Sequence, residues 1–87
     1  MSYRIEFTSS AQREYLRLPK PERQRVGQRI DSLAENPRPA GCVKLAGATS
    51  LWRIRCGNYR VVYAIEDSAL IVSVAKVGHR RDVYRGL

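Results

Sequence analysis

The chain has 87 residues and a formal net charge of +8, from 16 Lys and Arg side chains against 8 Asp and Glu side chains. Its length allows one small domain, residues 1–87, and its apolar fraction of 44% is typical of a folded globular chain and excludes a disordered one. The positive charge favours a polyanion as partner, with nucleic acid first; the alternative is a charge that serves solubility alone.

The few metal-binding and redox-active residues exclude further classes of function. The spacing of a zinc site is absent from Cys42, Cys56 and the single histidine, His79. With two cysteines, one disulfide is numerically possible. The sequence begins without a signal peptide, and no apolar run has the length of a membrane span. We therefore expect a cytoplasmic protein with reduced thiols and with neither metal nor cofactor.

The first third of the chain predicts a strand and two helices. Residues 3–7 alternate between apolar and charged side chains, which is typical of a strand. Thr8 and the serines after it can cap a helix that runs to about Leu18. Pro21 suits the first turn of a second helix, which we expect to end near Glu35.

The two helices show apolar stripes at helical spacing. The predicted buried positions are Ala11, Tyr15, Leu18, Val26, Ile30, Leu33 and Ala34. Gly27 within the second helix indicates either a close approach of the two helices or a tolerated glycine. Arg23, Arg25 and Arg29 lie away from much of the stripe, and they form either a solvated surface or a contact with a partner or an RNA backbone.

Residues 51–63 predict a β-hairpin, because two alternating runs flank the turn signal Gly57-Asn58. A two-residue turn pairs Cys56 with Tyr59, Arg55 with Arg60, Ile54 with Val61 and Arg53 with Val62. Side chains alternate between the two faces of a strand. One face then holds Trp52, Ile54, Cys56, Tyr59, Val61 and Tyr63, which we assign to the core.

The other face of this hairpin holds Arg53, Arg55 and Arg60. Like charges directly opposite each other destabilise a sheet, so the facing pair of Arg55 and Arg60 predicts an anion bound at this place. The alternative is a solvated cationic face. No Asp or Glu occurs in residues 36–65, so the positive charge is concentrated in the segment that builds the sheet.

Residues 70–77 predict a strongly apolar, central strand. A tight turn at Asp67-Ser68 would place Ala75 beside Arg60, with Gly78 near Gly57, and the C-terminal tail would leave from the same end of the sheet. The predicted fold is α+β: an N-terminal strand, then a two-helix hairpin packed on one face of a mainly antiparallel four-stranded sheet, whose other face stays open.

Several motifs in this order carry a resemblance to a known family. They are Lys44-Leu45-Ala46-Gly47, Trp52-Arg53-Ile54-Arg55, Tyr59-Arg60-Val61-Val62-Tyr63, Val77-Gly78-His79-Arg80 and Val83-Tyr84. With the predicted order of elements, the chain resembles the RelE/ParE superfamily, the toxin halves of bacterial type II toxin–antitoxin pairs. The resemblance covers nearly the whole chain and implies the RelE-like microbial RNase fold.

The superfamily has two functional branches. RelE-like toxins cut messenger RNA in the ribosomal A site, whereas ParE-like toxins inhibit DNA gyrase and lack the cationic catalytic set. The resemblance to the RelE branch implies five catalytic residues, Arg53, Arg55, Arg60, Arg80 and Tyr84, with His79 carried over less directly. We add Lys44 and Arg81 as RNA-binding residues. The alternatives are a gyrase inhibitor and an RNA-binding regulator without catalysis.

The reaction that this resemblance implies is attack of a ribose 2′-hydroxyl on the adjacent phosphate. Arginine suits stabilisation of the phosphorane, but it does not deprotonate in proteins and cannot act as the base. His79 or Tyr84 would then move the proton, and Tyr84 could instead stack on a base. The implied partners are a cognate antitoxin and a ribosome with its message. Since the sequence ends three residues after Tyr84, we expect it to lack a C-terminal helix that some relatives carry.

Overall fold

The computed structural model describes residues 2–45, 47 and 50–79. The elements in chain order are β1 (Arg4–Phe7), α1 (Ser9–Leu16), α2 (Lys20–Ser32), β2 (Val43–Lys44), β3 (Leu51–Cys56), β4 (Tyr59–Glu66) and β5 (Ile71–His79). The strands form one sheet in the order β1-β5-β4-β3-β2, in which β1 pairs with β5 in parallel and the other described pairs are antiparallel. The predicted α+β fold is confirmed, with five strands instead of four. The added strand, β2, has two residues, which is too short to show an alternating pattern in the sequence.

Both helices begin where the sequence predicts and end two or three residues early. Thr8 caps α1, because its Oγ1 accepts a hydrogen bond of 3.2 Å from the backbone N–H of Ala11. At the other ends, Leu18 and Leu33 donate to carbonyls only three residues back, so each final turn tightens and leaves the α-helical pattern. Neither helix has the length and apolar character needed to cross a membrane, within the part of the chain described.

The core lies between the helices and one face of the sheet. The fully buried side chains from the helical layer are Ala11, Val26, Ile30 and Leu33, and those from the strands are Ile54, Val61, Tyr63, Val72, Val74 and Val77. Tyr63 is completely enclosed, so burial raises its pKa, and its hydroxyl donates a hydrogen bond of 2.7 Å to the carbonyl of Pro37. Trp52 and Tyr59 pack against this cluster, which confirms the predicted core assignment of all three aromatic residues.

The hairpin of β3 and β4 has the predicted pairing at every position, from Cys56 with Tyr59 to Arg53 with Val62. Gly57 has a φ of +61°, while Asn58 is not among the residues with positive φ. A glycine with positive φ at the first central position is typical of a type II′ turn, whose twist matches that of the flanking strands. The turn therefore fixes which hairpin side chains share a face.

The predicted pairing of β4 with β5 is wrong by three residues, because Arg60 pairs with Gly78 and not with Ala75. The connection between the strands accounts for two residues of this shift, because it occupies residues 67–70 instead of 67–68. It includes Leu70 at a φ of +55°. The third is a β-bulge: Val62 pairs with Lys76 and Tyr63 with Val74, which leaves Ala75 unpaired. Leu rarely adopts this backbone conformation, so the sequence contains no signal for the longer turn.

A hydrogen-bonded network closes the end of the sheet remote from Gly57. Asp67 accepts from both terminal nitrogens of Arg38, at 3.2 and 2.8 Å, and from the Tyr3 hydroxyl at 2.6 Å. The hydrogen bonds from Arg38 and then Tyr3 lower the pKa of Asp67 to about 2, and the same contacts raise the pKa of Arg38 and of Tyr3. The network ties the loop before β2 to the connection between β4 and β5.

Gly27 marks a close approach of the helices, as one of the two interpretations predicts. A Cβ atom at Gly27 would collide with the hydroxyl oxygen of Tyr15 on α1. Alanine is otherwise the better helix former by about 1 kcal/mol. The collision with Tyr15 therefore determines whether Gly27→Ala stabilises or destabilises the protein. We expect Gly27→Ala to destabilise the protein by about 1 kcal/mol in urea unfolding. In a Tyr15→Phe background, which lacks the hydroxyl, the same change should stabilise it; stabilisation in both backgrounds would contradict the close approach.

The Asp67 network should weaken in acid. The pKa of Asp67 is lower in the folded protein than its ordinary 3.8, so its contribution to stability is complete above about pH 4 and is lost as the pH falls towards 2. We expect the melting temperature of Asp67→Asn to lie below that of the unsubstituted protein at pH 5 and to meet it near pH 2. Glu66→Gln is the matched control, and a gap for Asp67→Asn that does not close on acidification would rule out this origin.

Candidate functional site

The sheet surface turned away from the helices carries the predicted arginines, and we call it the arginine face. Near the Gly57 turn its members are Arg53 and Arg55 of β3, Arg60 and Val62 of β4, and Lys76 and Gly78 of β5. Within the described residues, the sheet contributes no acidic side chain to this half of the face. The half remote from the turn includes Arg4 and Glu6, whose opposite charges form an ion pair of 2.9 Å. The excess of positive charge therefore lies in the half near the Gly57 turn.

Arg55, Arg60 and Gly78 form one row across three strands, because Arg60 pairs with Arg55 on one side and with Gly78 on the other. Directly opposite residues have Cβ atoms about 5 Å apart, so both guanidinium groups can reach the same bound group. Arg55 is exposed and Arg60 is half-buried. Gly78, the partner of Arg60 on β5, contributes no side chain to this row. The row can hold one anionic group with forked, bidentate contacts.

Arg53 lies one row further from the turn and is held in a less favourable state than a surface arginine. Its Nε atom is buried and makes no hydrogen bond to any described part of the chain. A buried donor without an acceptor costs about 1–3 kcal/mol, and a bound ion or ligand is one of the features that accounts for such a group. Arg53 as a whole is half-buried.

The structure does not place all predicted site residues on the arginine face. His79 pairs with Tyr59 on the helical side, where the two rings meet edge to face with centroids 5.9 Å apart. Lys44 pairs with Trp52, and its Nζ lies 6.0 Å from the centre of the Trp52 ring, also on the helical side. His79 and Lys44 are therefore separated by the sheet from the row that Arg60 occupies.

Three further predicted site residues, Arg80, Arg81 and Tyr84, lie outside the described residues. The residue that the sequence analysis missed is Lys76. With the predicted register, Ala75 would have shared a face with Arg60 and Lys76 would have pointed towards the helices. The β-bulge and the longer connection reverse this alternation, and neither leaves a signal in the sequence.

Two other features bear on possible ligands. A groove of about 150 Å³ lies between α2 and the Gly57 turn, lined by Glu22, Arg25, Val26, Cys56, Gly57, Asn58 and Tyr59. Glu22 and Arg25, the charged side chains of this groove, already form an ion pair of 3.5 Å with each other. Within the described part of the chain, no group of three or more His, Cys, Asp or Glu side chains could hold a metal ion. The arginine face is thus the strongest candidate for an anionic ligand.

Comparisons with known proteins agree with the fold. The family described as "ParE toxin of type II toxin-antitoxin system, parDE" matches residues 5–84. The chain is 32% identical to a putative RelE-like toxin protein of Escherichia coli, over 97% of this chain and 92% of that protein. It is 30% identical to the mRNA interferase toxin RelE of Escherichia coli strain K12, over 92% and 85% of the two chains. The structure is similar to the toxin-antitoxin complex RelBE2 of Mycobacterium tuberculosis, with a TM-score of 0.82, 27% identity and coverage of 92% of this chain and 100% of that chain.

The facing arginines should lower the stability of the free protein. Arg55→Gln removes the repulsion with Arg60, so we expect it to stabilise the fold by about 0.5 kcal/mol at low salt, with the gain disappearing as ionic strength rises. Arg13→Gln is the matched control, because it removes the same charged group from an exposed position of the helical layer. Urea unfolding at two salt concentrations measures both. An equal gain from both variants would mean that only net charge matters.

Proposed function

Since the chain belongs to the ParE toxin family of type II toxin–antitoxin systems, within the RelE/ParE superfamily, we propose that it is a ribosome-dependent endoribonuclease. It would cut messenger RNA in the ribosomal A site. The observation that carries the proposal is the row of Arg55, Arg60 and Gly78, where two arginines pair directly across neighbouring strands of the arginine face. A relative at 30% identity, named an mRNA interferase, supports it.

The proposed reaction begins with attack of a ribose 2′-hydroxyl on the adjacent phosphorus. The phosphorus–O5′ bond then breaks, which leaves a 2′,3′-cyclic phosphate and a 5′-hydroxyl. In the transition state negative charge accumulates on the non-bridging phosphate oxygens. Arg55 and Arg60 would bind those oxygens, and preorganised donors at such a position contribute about 2.7–4 kcal/mol each to catalysis. Arg53 would support them from the next row, and Arg80 is a further proposed contact.

The proton of the 2′-hydroxyl needs an acceptor that the three arginines cannot supply, because guanidinium groups stay protonated in proteins. The position of His79 on the helical side favours Tyr84 over His79 as the proton carrier near the scissile bond. We propose that groups of the ribosome or of residues 80–87 complete the site. Positioning of the message by the ribosome would supply a further part of the rate as entropy.

The proposed partner outside the ribosome is a cognate antitoxin, in line with a structural relative solved as a toxin-antitoxin complex. An antitoxin that blocks RNA would cover the arginine face. An acidic segment complements a chain of net charge +8, and its binding would weaken as salt rises.

Inhibition of DNA gyrase is a second candidate function, because the matching family carries the ParE name. A gyrase inhibitor of that type needs no convergent arginines on the sheet. A supercoiling assay with purified protein separates the two candidates: loss of supercoiling activity with no cleavage of translated RNA would favour the second one.

The arginine row should be required for cleavage. We expect Arg60→Ala and Arg55→Ala to reduce the single-turnover rate on programmed ribosomes by about 100-fold or more, because each removes a donor to the phosphorane. Lys20→Ala, which removes a charge on the helical layer, should cut within about twofold of the unsubstituted protein. Undiminished cutting by both arginine variants would exclude this site.

The two candidate proton carriers should differ in the same assay. We expect His79→Gln to retain cleavage within a few-fold, because His79 lies on the helical side of the sheet. Tyr84→Phe should lose about 10²-fold or more, as removal of a general acid or base does. A large loss in His79→Gln with a folded protein and an intact Tyr84→Phe would reverse this assignment.

A further inference from the structure

Lys76 occupies a position on the arginine face that mirrors that of Arg53. Both residues pair across strands with Val62, so the basic side chains flank this valine in a single row of the sheet. Val62 itself is fully buried. This row lies two residues along β4 from Arg60, a separation of about 6.7 Å in a strand. Successive phosphates of an extended RNA strand lie at a comparable distance from each other.

Glu14 on α1 holds Lys76 at the edge of this row. The Nζ atom of Lys76 donates to Oε2 of Glu14 at 3.1 Å, and the backbone N–H of Val77 donates to Oε1 at 3.0 Å. The carboxylate reaches β5 because the pairing of β1 with β5 ends at Phe7 and Val74, and α1 follows directly. Glu14 thus accepts the hydrogen bond from the backbone N–H of Val77, which a longer β1 would have accepted instead.

The ion pair can open without leaving the carboxylate unsatisfied. If Lys76 turns away, Oε1 of Glu14 keeps its hydrogen bond from Val77. The side chains of Lys76 and Glu14 are 22% and 28% exposed, so water or a ligand has access to the pair. Lysine carries its ammonium on a flexible four-carbon stem, which allows the head group to move while the strand stays in place.

We propose that Lys76 and Arg53 form a second phosphate site, which binds the RNA phosphate next to the one held by Arg55 and Arg60. Glu14 retains Lys76 in the free protein and releases it to the RNA. A phosphate would also bring acceptor oxygens to Arg53, whose buried Nε makes no hydrogen bond to the described residues. The inference rests on the proposed function, since it assigns a neighbouring nucleotide of the same substrate.

Binding of a short 2′-O-methyl RNA, which cannot be cut, tests the site by fluorescence anisotropy over a series of salt concentrations. We expect Lys76→Met to weaken binding by about fivefold and to reduce the slope of log K against log salt by about 0.7, the value for one phosphate contact on a single strand. Lys20→Met removes the same charge from the helical layer and should weaken binding less than twofold. Equal effects of these two variants would overturn the proposal.

Glu14→Gln tests the retaining role, because the amide oxygen can still accept from Val77 while the charge on Lys76 is released. We expect tighter RNA binding by about threefold, and we expect no gain when Lys76→Met is also present. Glu22→Gln makes the same change of net charge beside Arg25 and is the control. A gain that persists in the double variant, or an equal gain from Glu22→Gln, would contradict the proposal.

The outcome for this site can be distinguished from that for the proposed function. If the unsubstituted protein cuts RNA on programmed ribosomes and the Glu14 and Lys76 variants show no coupling, the second phosphate site alone is excluded. If the unsubstituted protein neither binds RNA nor cuts it, both proposals fall. Should Lys76→Met fail to fold, as judged by circular dichroism, the comparison of Glu14→Gln with Glu22→Gln decides.

Discussion

The register of the hairpin formed by β3 and β4, which places Arg55 directly opposite Arg60, is the constraint on which the arginine face depends. A type II′ turn at Gly57 fixes the two residues opposite each other, and the core keeps the hairpin in that register. Ile54 and Val61 are buried on the other face of the same two strands, so a slip of one residue would expose both of them. The burial of apolar side chains against the helices therefore offsets the cost of placing two positive charges together.

The helical layer does more than cover the core, because α1 and its cap residue also form hydrogen bonds with β5 at its bulge. Thr8 caps α1 and, through Oγ1, donates a hydrogen bond of 3.3 Å to the carbonyl of Ala75, the bulged residue. Glu14, two turns later in the helix, bonds the next residues of the strand. The bulge brings Lys76 and Gly78 onto the arginine face, and it places His79 on the helical side. The composition of the site is thus set by contacts between elements distant in sequence.

Because the site depends on contacts between elements distant in sequence, only some features of the fold and the site could be predicted from the sequence. The hairpin pairing, the core aromatic residues and the start of each helix follow from local patterns, such as the Gly57-Asn58 turn and the Thr8 cap. The register of β5 does not. Leu70 adopts a left-handed conformation that glycine or asparagine would have signalled, and the bulged Ala75 is bonded by Thr8, which is distant in sequence. The two-residue β2 has no pattern of its own. Lys76 was missed for the same reason, since its face depends on that register.

The central claim is that the arginine face cuts messenger RNA on the ribosome. Primer extension on a single messenger RNA after brief expression of the protein tests it most directly, with a matched message whose start codon is destroyed. We expect cuts inside codons of the translated message, with 5′-hydroxyl ends, and no cuts in the message that is not translated. Cuts that appear equally in both messages would contradict the dependence on the ribosome, and intact RNA in both, together with arrested growth, would contradict the reaction itself.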